Sequence, residues 1–220
     1  MTQPILLAWS GGKDSALSLQ ALNQSHDYHV VSLLTNFSAD EDCVMMHRIP
    51  RPLIEQQAQA IGIPLYPVLL SSVPSNDEYE AKISAALAHF QEQGVNAVAH
   101  GDLFLEDIRQ YRENNLARVG MKGIYPVWGK DTHDLARWFV ADGFKAIVVC
   151  VDTEQLDASF AGRIIDDDFL RDLPPNVDPC GENGEFHTFV YDAPFFAAPI
   201  PFTLGEQYLR DNRFLYQQIS

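Results

Sequence analysis

The chain has 220 residues, with 15 Lys and Arg against 30 Asp and Glu, so its formal net charge is −15 at pH 7; hydrophobic residues make up 46% and charged residues 20%. That composition is globular and excludes collagen, coiled coil and intrinsic disorder, and the length allows one large domain or two small ones around a real core. The acidity argues against a broad nucleic-acid surface, because Lys and Arg contacts to phosphate supply most non-specific affinity.

Met1-Thr2-Gln3-Pro4 carries no charged leader. No apolar run approaches the roughly 18–20 residues of a membrane span, so a cytoplasmic chain with no membrane partner is expected. Residues 5–9 form a short apolar run between Pro4 and a glycine pair and read as a strand. Residues 15–21, with Ala16, Leu17 and Leu19, read as a helix, and residues 29–35 as a buried strand. A polar loop is expected over 36–47. Residues 52–61 read as a helix, with Pro52 suited to its first turn and Gly62 to its end. Residues 65–70 read as a strand, and Ser75-x-x-Glu78 has capping-box spacing before a long helix. A strand at 97–100, a helix at 105–119 and a fifth strand at 122–126 follow.

Strands separated by helices imply βαβ units: a Rossmann-like parallel sheet with helices on both faces. Ligands of such sheets sit beyond the carboxyl ends of the strands. The texture changes near residue 131. A helix at 132–141 and a strand at 146–151 precede an irregular stretch, 152–201, that holds six of the thirteen Phe. The expected organisation is a nucleotide-binding domain over 1–131 and a smaller α/β region over 132–220. The cysteines, Cys43, Cys150 and Cys180, are odd in number and form no Cys-x-x-Cys pair, so neither a disulfide framework nor a Cys-type zinc site is expected.

The most informative residues are Ser10, Gly11, Gly12, Lys13, Asp14 and Ser15, at the first strand-to-helix turn. They match neither the Walker pattern nor Gly-x-Gly-x-x-Gly. Two glycines still permit a backbone that aims consecutive N–H groups at one anion, and the helix start adds its positive end. Lys13 is one of only five lysines. Asp14 is out of place against an anion unless it holds a metal, such as Mg2+, or orients the loop. Taken alone, a Gly-Gly turn with a capping Ser would look the same.

This hexapeptide resembles the pyrophosphate loop of the N-type ATP pyrophosphatases. Four further blocks resemble the diphthine–ammonia ligase family within that superfamily: residues 53–65; Gly101-Asp102-Leu103 with Arg109, Tyr111 and Glu113; Pro126-Val127-Trp128-Gly129; and residues 178–189, Asp-Pro-Cys-Gly-Glu-Asn-Gly-Glu-Phe-His-Thr-Phe. The resemblance covers residues 4 to about 196. The family often has Ile where Leu103 stands and Leu where Val127 stands. The resemblance implies an ATP-dependent ligase that adenylates a carboxylate, protein-borne in the family's named case, and then transfers ammonia, releasing AMP and pyrophosphate. It implies ATP and Mg2+ as cofactors, and a homodimer is among the states left open.

Within the last block Asp178, Glu182, Glu185 and His187 crowd together. On an extended segment Glu185 and His187 would share a face, where a carboxylate could take a proton from ammonium and His187 relay it; a solvated acidic loop is the bland alternative. Asp102 could act at the site or cap the following helix. Arg109 could hold a substrate carboxylate or simply pair with Glu113. His47 and Arg48 could reach the phosphates, Asn36 and Phe37 the adenine. The expected catalytic set is thus Lys13, Asp14, Asp102, Glu182, Glu185 and His187, with Asp14 as metal ligand and Ser10, Gly11, Gly12, Ser15, Asn36, Phe37, His47, Arg48 and Gly101 binding the nucleotide. Asp166-Asp167-Asp168 reads as a solvated helix start and Cys180 as packing. A tRNA-modifying ATP pyrophosphatase would want a basic face or Cys-x-x-Cys pairs. A nucleotide sensor without chemistry would not need Asp14 or the acidic block.

Overall fold

The computed structural model describes residues 2–220. Strand β1 (Gln3–Ala8) lies centrally in a six-stranded sheet, paired in parallel with β2 (Tyr28–Ser38) on one side and with β5 (Ala97–Ala99) on the other. β4 (Leu65–Leu70) extends the sheet beyond β2, and β6 (Lys122–Ile124) extends it beyond β5, both in parallel. The strand order therefore reverses between β1 and β5. The side chains of β1 alternate as the pleat requires. Ile5 and Leu7 face one apolar cluster, with helices α1 (Lys13–Gln24) and α2 (Arg51–Ile61), while Leu6 faces another, with α3 (Asn76–Gln91) and α4 (Glu106–Arg118). Helices thus cover both faces, as the strand–helix alternation predicts.

Local chemistry sets the element ends. Ser75 caps α3 by accepting the Glu78 N–H at 3.1 Å, and Gly62 ends α2 in the left-handed region at φ 78. Glu78 does not return the bond; its carboxylate accepts instead from the N–H and hydroxyl of Ser71. The expected loop over 36–47 is shorter than its composition implies. β2 runs on to Ser38, and a two-residue strand, β3 (Cys43–Val44), pairs antiparallel with its end, because Phe37 and Val44 bury on the α1–α2 side.

The remaining chain builds a second, antiparallel sheet in the order β8-β7-β10-β9, from β7 (Lys145–Asp152), β8 (Phe186–Asp192), β9 (Leu204–Arg210) and β10 (Phe214–Ile219). Helices α5 (Thr132–Ala141) and α6 (Asp167–Asp172) accompany it. The stretch expected to be irregular contains β8 and α6; its phenylalanines pack edge to face, Phe169 on Phe160 and on Phe186. The larger apolar cluster is continuous from α1 and α2 into α5, β7 and β8, so the second sheet shares a core with the first. Among the described residues no helix is long and apolar enough to cross a membrane.

β10 is fastened to β7 by charge. Arg213 grips the buried Asp152 through Nε at 2.8 Å and Nη2 at 2.5 Å. These bonds, helped by Gln155, hold the Asp152 carboxyl down to about 2. A folded pKa below the unfolded value of about 3.9 stabilises the fold above that pH, and the contribution is lost as pH falls through about 2. Asp152→Asn should therefore lower unfolding free energy by about 1–3 kcal/mol near neutrality, with the partly exposed Arg213 favouring the low end. Thermal melts of the two proteins should converge as pH approaches 2.

Candidate active site

The reversal between β1 and β5 opens a crevice at the carboxyl ends of those strands, the place where such sheets bind ligands. A cleft of about 390 Å³ lies there. The loop after β1 forms its floor. Gly11 stands at φ 78, and a Cβ there would come within 2.4 Å of Ile54 Cδ1, so only glycine fits. Helix α1 opens at Lys13, two residues earlier than its apolar residues imply, with Gly12 as N-cap. Its first-turn N–H groups thus begin inside the hexapeptide. The Ser15 hydroxyl donates to Gly12 O at 2.8 Å, and the Lys13 N–H donates to Thr188 Oγ1 at 2.9 Å, which pins the loop to β8.

Ser10, Asp14 and Ser15 line the cleft. Lys13 does not: its side chain is 1% exposed and its ammonium pairs with Asp14 Oδ1. Burial works against that charge, but Asp14, together with Cys180 and Glu182, more than offsets it and raises the Lys13 pKa. Asp14 therefore faces the cleft while its charge is matched from beneath. Gly101 lets the β5 loop close over this turn, since a Cβ there would meet the Asp14 backbone at 2.9 Å.

Two histidines far apart in sequence meet above the loop. His47, on the turn between β3 and α2, and His187, on β8, have ring centroids 4.7 Å apart. Both line the cleft. Burial and the neighbouring His187 lower the His47 pKa well below the imidazole range, and burial lowers that of His187. Met46 and Arg48, on either side of His47, stand at positive φ, a local strain that aims the ring. His187 thus sits at the Gly11–Gly12 end of the cleft.

The opposite wall carries carboxylates. Asp102 is held by Arg112: Nη2 donates to Oδ1 at 3.2 Å, while Nε lies 2.8 Å from Oδ2 as a charge contact without hydrogen-bond alignment. It does not cap α4, whose N-cap is Leu105, three residues on. Glu182 accepts the Leu103 N–H at 2.7 Å through Oε1. Burial pushes its carboxyl up to about 7, against the pull of the Leu103 N–H and with help from Asp14. Glu182 is therefore a carboxylate poised near neutrality on the cleft wall. Beside it an apolar side pocket of about 110 Å³ runs between α3 and α4, and Asn36 and His100 line both spaces. Asn36 Oδ1 and both His100 ring nitrogens are buried without a protein partner.

Several residues expected at the site lie elsewhere. Glu185 precedes β8 and is 2% exposed, accepting the Asp178 N–H and the Asn183 amide through Oε1; it staples the loop instead of sharing a face with His187. Phe37 is in the core beneath Asn36, because alternate residues of β2 point to opposite faces. Arg48 turns away from the cleft to Glu41 and Tyr208. Arg109 pairs with Glu113 at 2.8 Å, and its guanidinium lies over Tyr125 and Trp128. Asp166 caps α6 by accepting the Phe169 N–H at 2.8 Å, as a helix start should. Cys180 is buried, donates to Thr132 O, and burial pushes its thiol up to about 12, the opposite of an activated nucleophile. His100, Arg112, Thr188 and Gln57 took no part in the expected site. Only their place after a strand or inside a matching block could have marked them.

Residues 3–123 match the family described as diphthamide synthase N-terminal domain, and residues 131–218 match diphthamide synthase C-terminal domain. Curated relatives include the diphthine–ammonia ligase of Danio rerio, 28% identical over 214 residues, covering 87% of this chain and 83% of that protein. The Mus musculus protein of the same name is 26% identical over 215 residues, covering 87% and 79%. Among solved structures, a phosphoadenylyl-sulfate (PAPS) reductase from Candida auris aligns over 64% of this chain and 73% of its own, with 16% identity and a TM-score of 0.36.

Proposed function

The chain belongs to the diphthamide synthase family, and on that premise we propose that it activates a carboxylate with ATP and joins ammonia to it, releasing AMP and pyrophosphate. One observation carries the reading beyond family membership: a glycine-rich anion loop and a carboxylate poised near neutrality face each other across one cleft at the sheet's reversal point. The nucleotide is handled mainly by residues 1–131, and the carboxylate and amine approach from residues 132–220. Diphthine, from the relatives' name, is the first carboxylate to try.

The polyphosphate lies on the first turn of α1, against Ser10, Ser15 and the two histidines. The base enters the apolar side pocket, where Asn36 Oδ1 can accept from an exocyclic amino group. The α-phosphorus then faces the Asp102–Glu182 wall. A substrate carboxylate oxygen attacks it, the α–β bridging bond breaks, and pyrophosphate leaves with the bonding electron pair. Glu182 takes a proton from ammonium; the freed ammonia attacks the acyl carbon, AMP departs with the C–O electrons, and the nitrogen's surplus proton passes to the AMP phosphate or to water. Asp102, fixed by Arg112, orients the amine.

Among the described residues no three or more His, Cys, Asp or Glu side chains gather into a metal centre. Mg2+ brought in by a nucleotide needs only one or two protein carboxylates beside the phosphates, and Asp14 fits that requirement. Bound there, the ion would neutralise charge on the leaving pyrophosphate.

The test is the nucleotide product. Incubation with Mg-ATP, ammonium and diphthine-bearing protein, or a panel of carboxylates, should give AMP that accumulates faster with ammonium, read by chromatography. Stoichiometric ADP without AMP would keep the nucleotide site and overturn the adenylation.

A further inference from the structure

Gln57 lies in α2, 46 residues from the phosphate loop, and is 0% exposed. Its amide is fully committed. Oε1 accepts the Trp9 indole N–H at 2.9 Å, and Nε2 donates to Gly11 O at 3.1 Å and to Val190 O at 2.6 Å. The orientation of this amide is dictated by chemistry, since an indole nitrogen can only donate and carbonyl oxygens can only accept. The Gly11 carbonyl also accepts the Val190 N–H at 2.9 Å. Two donors, one from α2 and one from β8, therefore hold that carbonyl on the side away from the cleft.

A trans peptide is planar, and its N–H points opposite to its C=O. Fixing the Gly11 oxygen thus fixes the Gly12 N–H. That N–H points the other way, to Ser10 Oγ at 3.3 Å, and Ser10 is on the cleft wall. The contact is long for a hydrogen bond. An anion at Ser10 could displace the hydroxyl and receive a shorter one. Gly11 tolerates either peptide orientation more readily than other residues do, so without a clamp this plane could flip and turn a carbonyl oxygen towards an arriving phosphate.

We infer that Gln57 is a positioning residue: with the Val190 amide it locks the Gly11–Gly12 peptide so that its N–H, and not its carbonyl, faces the bound polyphosphate. The inference rests on the phosphate reading of the loop. It adds a function for a side chain that touches no ligand and gives β8 a further purpose besides supplying His187 and Thr188.

The test compares inorganic pyrophosphate and adenosine as separate calorimetric probes of the full chain. Gln57→Met keeps the side-chain length and removes all three bonds; pyrophosphate affinity should fall at least tenfold, with adenosine affinity unchanged. Gln57→Glu supplies a conservative rescue. Protonated, the buried acid can donate to one carbonyl while accepting from Trp9; ionised, it cannot donate. Its pyrophosphate affinity relative to the unaltered protein should therefore recover from alkaline to mildly acid pH, a readout that also serves if Gln57→Met does not fold. Undiminished pyrophosphate binding in folded Gln57→Met, equal loss of both probes, or a Gln57→Glu deficit that ignores pH would each overturn the clamp. Failure of the unaltered protein itself to bind pyrophosphate, with adenosine still bound, would instead remove the phosphate reading.

Discussion

Glu182→Gln should lower turnover by about 10²–10⁴-fold, the usual span for losing a general base, while ATP affinity stays near that of the unaltered protein. The substitution keeps the side-chain length, and the amide oxygen can still accept the Leu103 N–H, so the loop should hold. What disappears is the ability to take a proton. Burial holds this carboxyl at about 7, between the weak basicity of an ordinary carboxylate and the strength needed to draw a proton from ammonium. Because the ionised form is the active one, kcat/KM for ammonium in the free enzyme should rise with pH through about 7, and Glu182→Gln should lose that rise. Steady-state AMP release across pH, at fixed ATP and carboxylate, measures both. Full turnover in Glu182→Gln, or an inflection that survives the substitution, would move the base elsewhere. Glu185→Gln is the natural companion variant. It should cost fold stability, since its carboxylate holds the Asp178 turn.

Lys13→Ala should weaken ATP binding by roughly tenfold to a hundredfold, about 1.5–3 kcal/mol, by stripping the Asp14 carboxylate of the cation that matches it beneath the cleft. Lys13 is buried and paired with Asp14, so the substitution does more than remove a cation. It leaves the Asp14 carboxylate uncompensated on the cleft surface, beside the incoming polyphosphate. The upper part of the range is therefore favoured, and Lys13→Ala/Asp14→Asn should recover part of the loss. Removing both partners of a buried pair leaves no stranded charge, whereas removing one does. Calorimetry with ATP checks the single and double variants; unchanged affinity in a folded Lys13→Ala protein would remove the phosphate site from this loop.

Much of the fold was legible because its signals are local. Apolar runs about five residues long between helical periods specify a parallel sheet with helices on both faces, and Ser75 and Gly62 mark helix ends through bonds that reach only a few residues. The boundaries that drifted did so where tertiary packing extends an element, as in β2, which continues to Ser38 because β3 and β4 pair with its end.

The hexapeptide by itself determined where a tight strand-to-helix loop would lie, since glycine freedom and the strand-to-helix turn are properties of neighbouring residues. The constellation around it was decided only by the tertiary structure. His47 meets His187 across 140 positions, and Gln57 joins Gly11 to Val190, because the second sheet docks β8 against the loop. Which carboxylate of residues 178–189 faces the cleft followed the same rule. Glu182 and Glu185 have the same chemistry and lie three residues apart, so spacing could not rank them. The turn at Gly181 and the N–H groups of Leu103 and Asp178 sort them, one to the cleft wall and one into the loop, because a buried carboxylate goes where donors meet it.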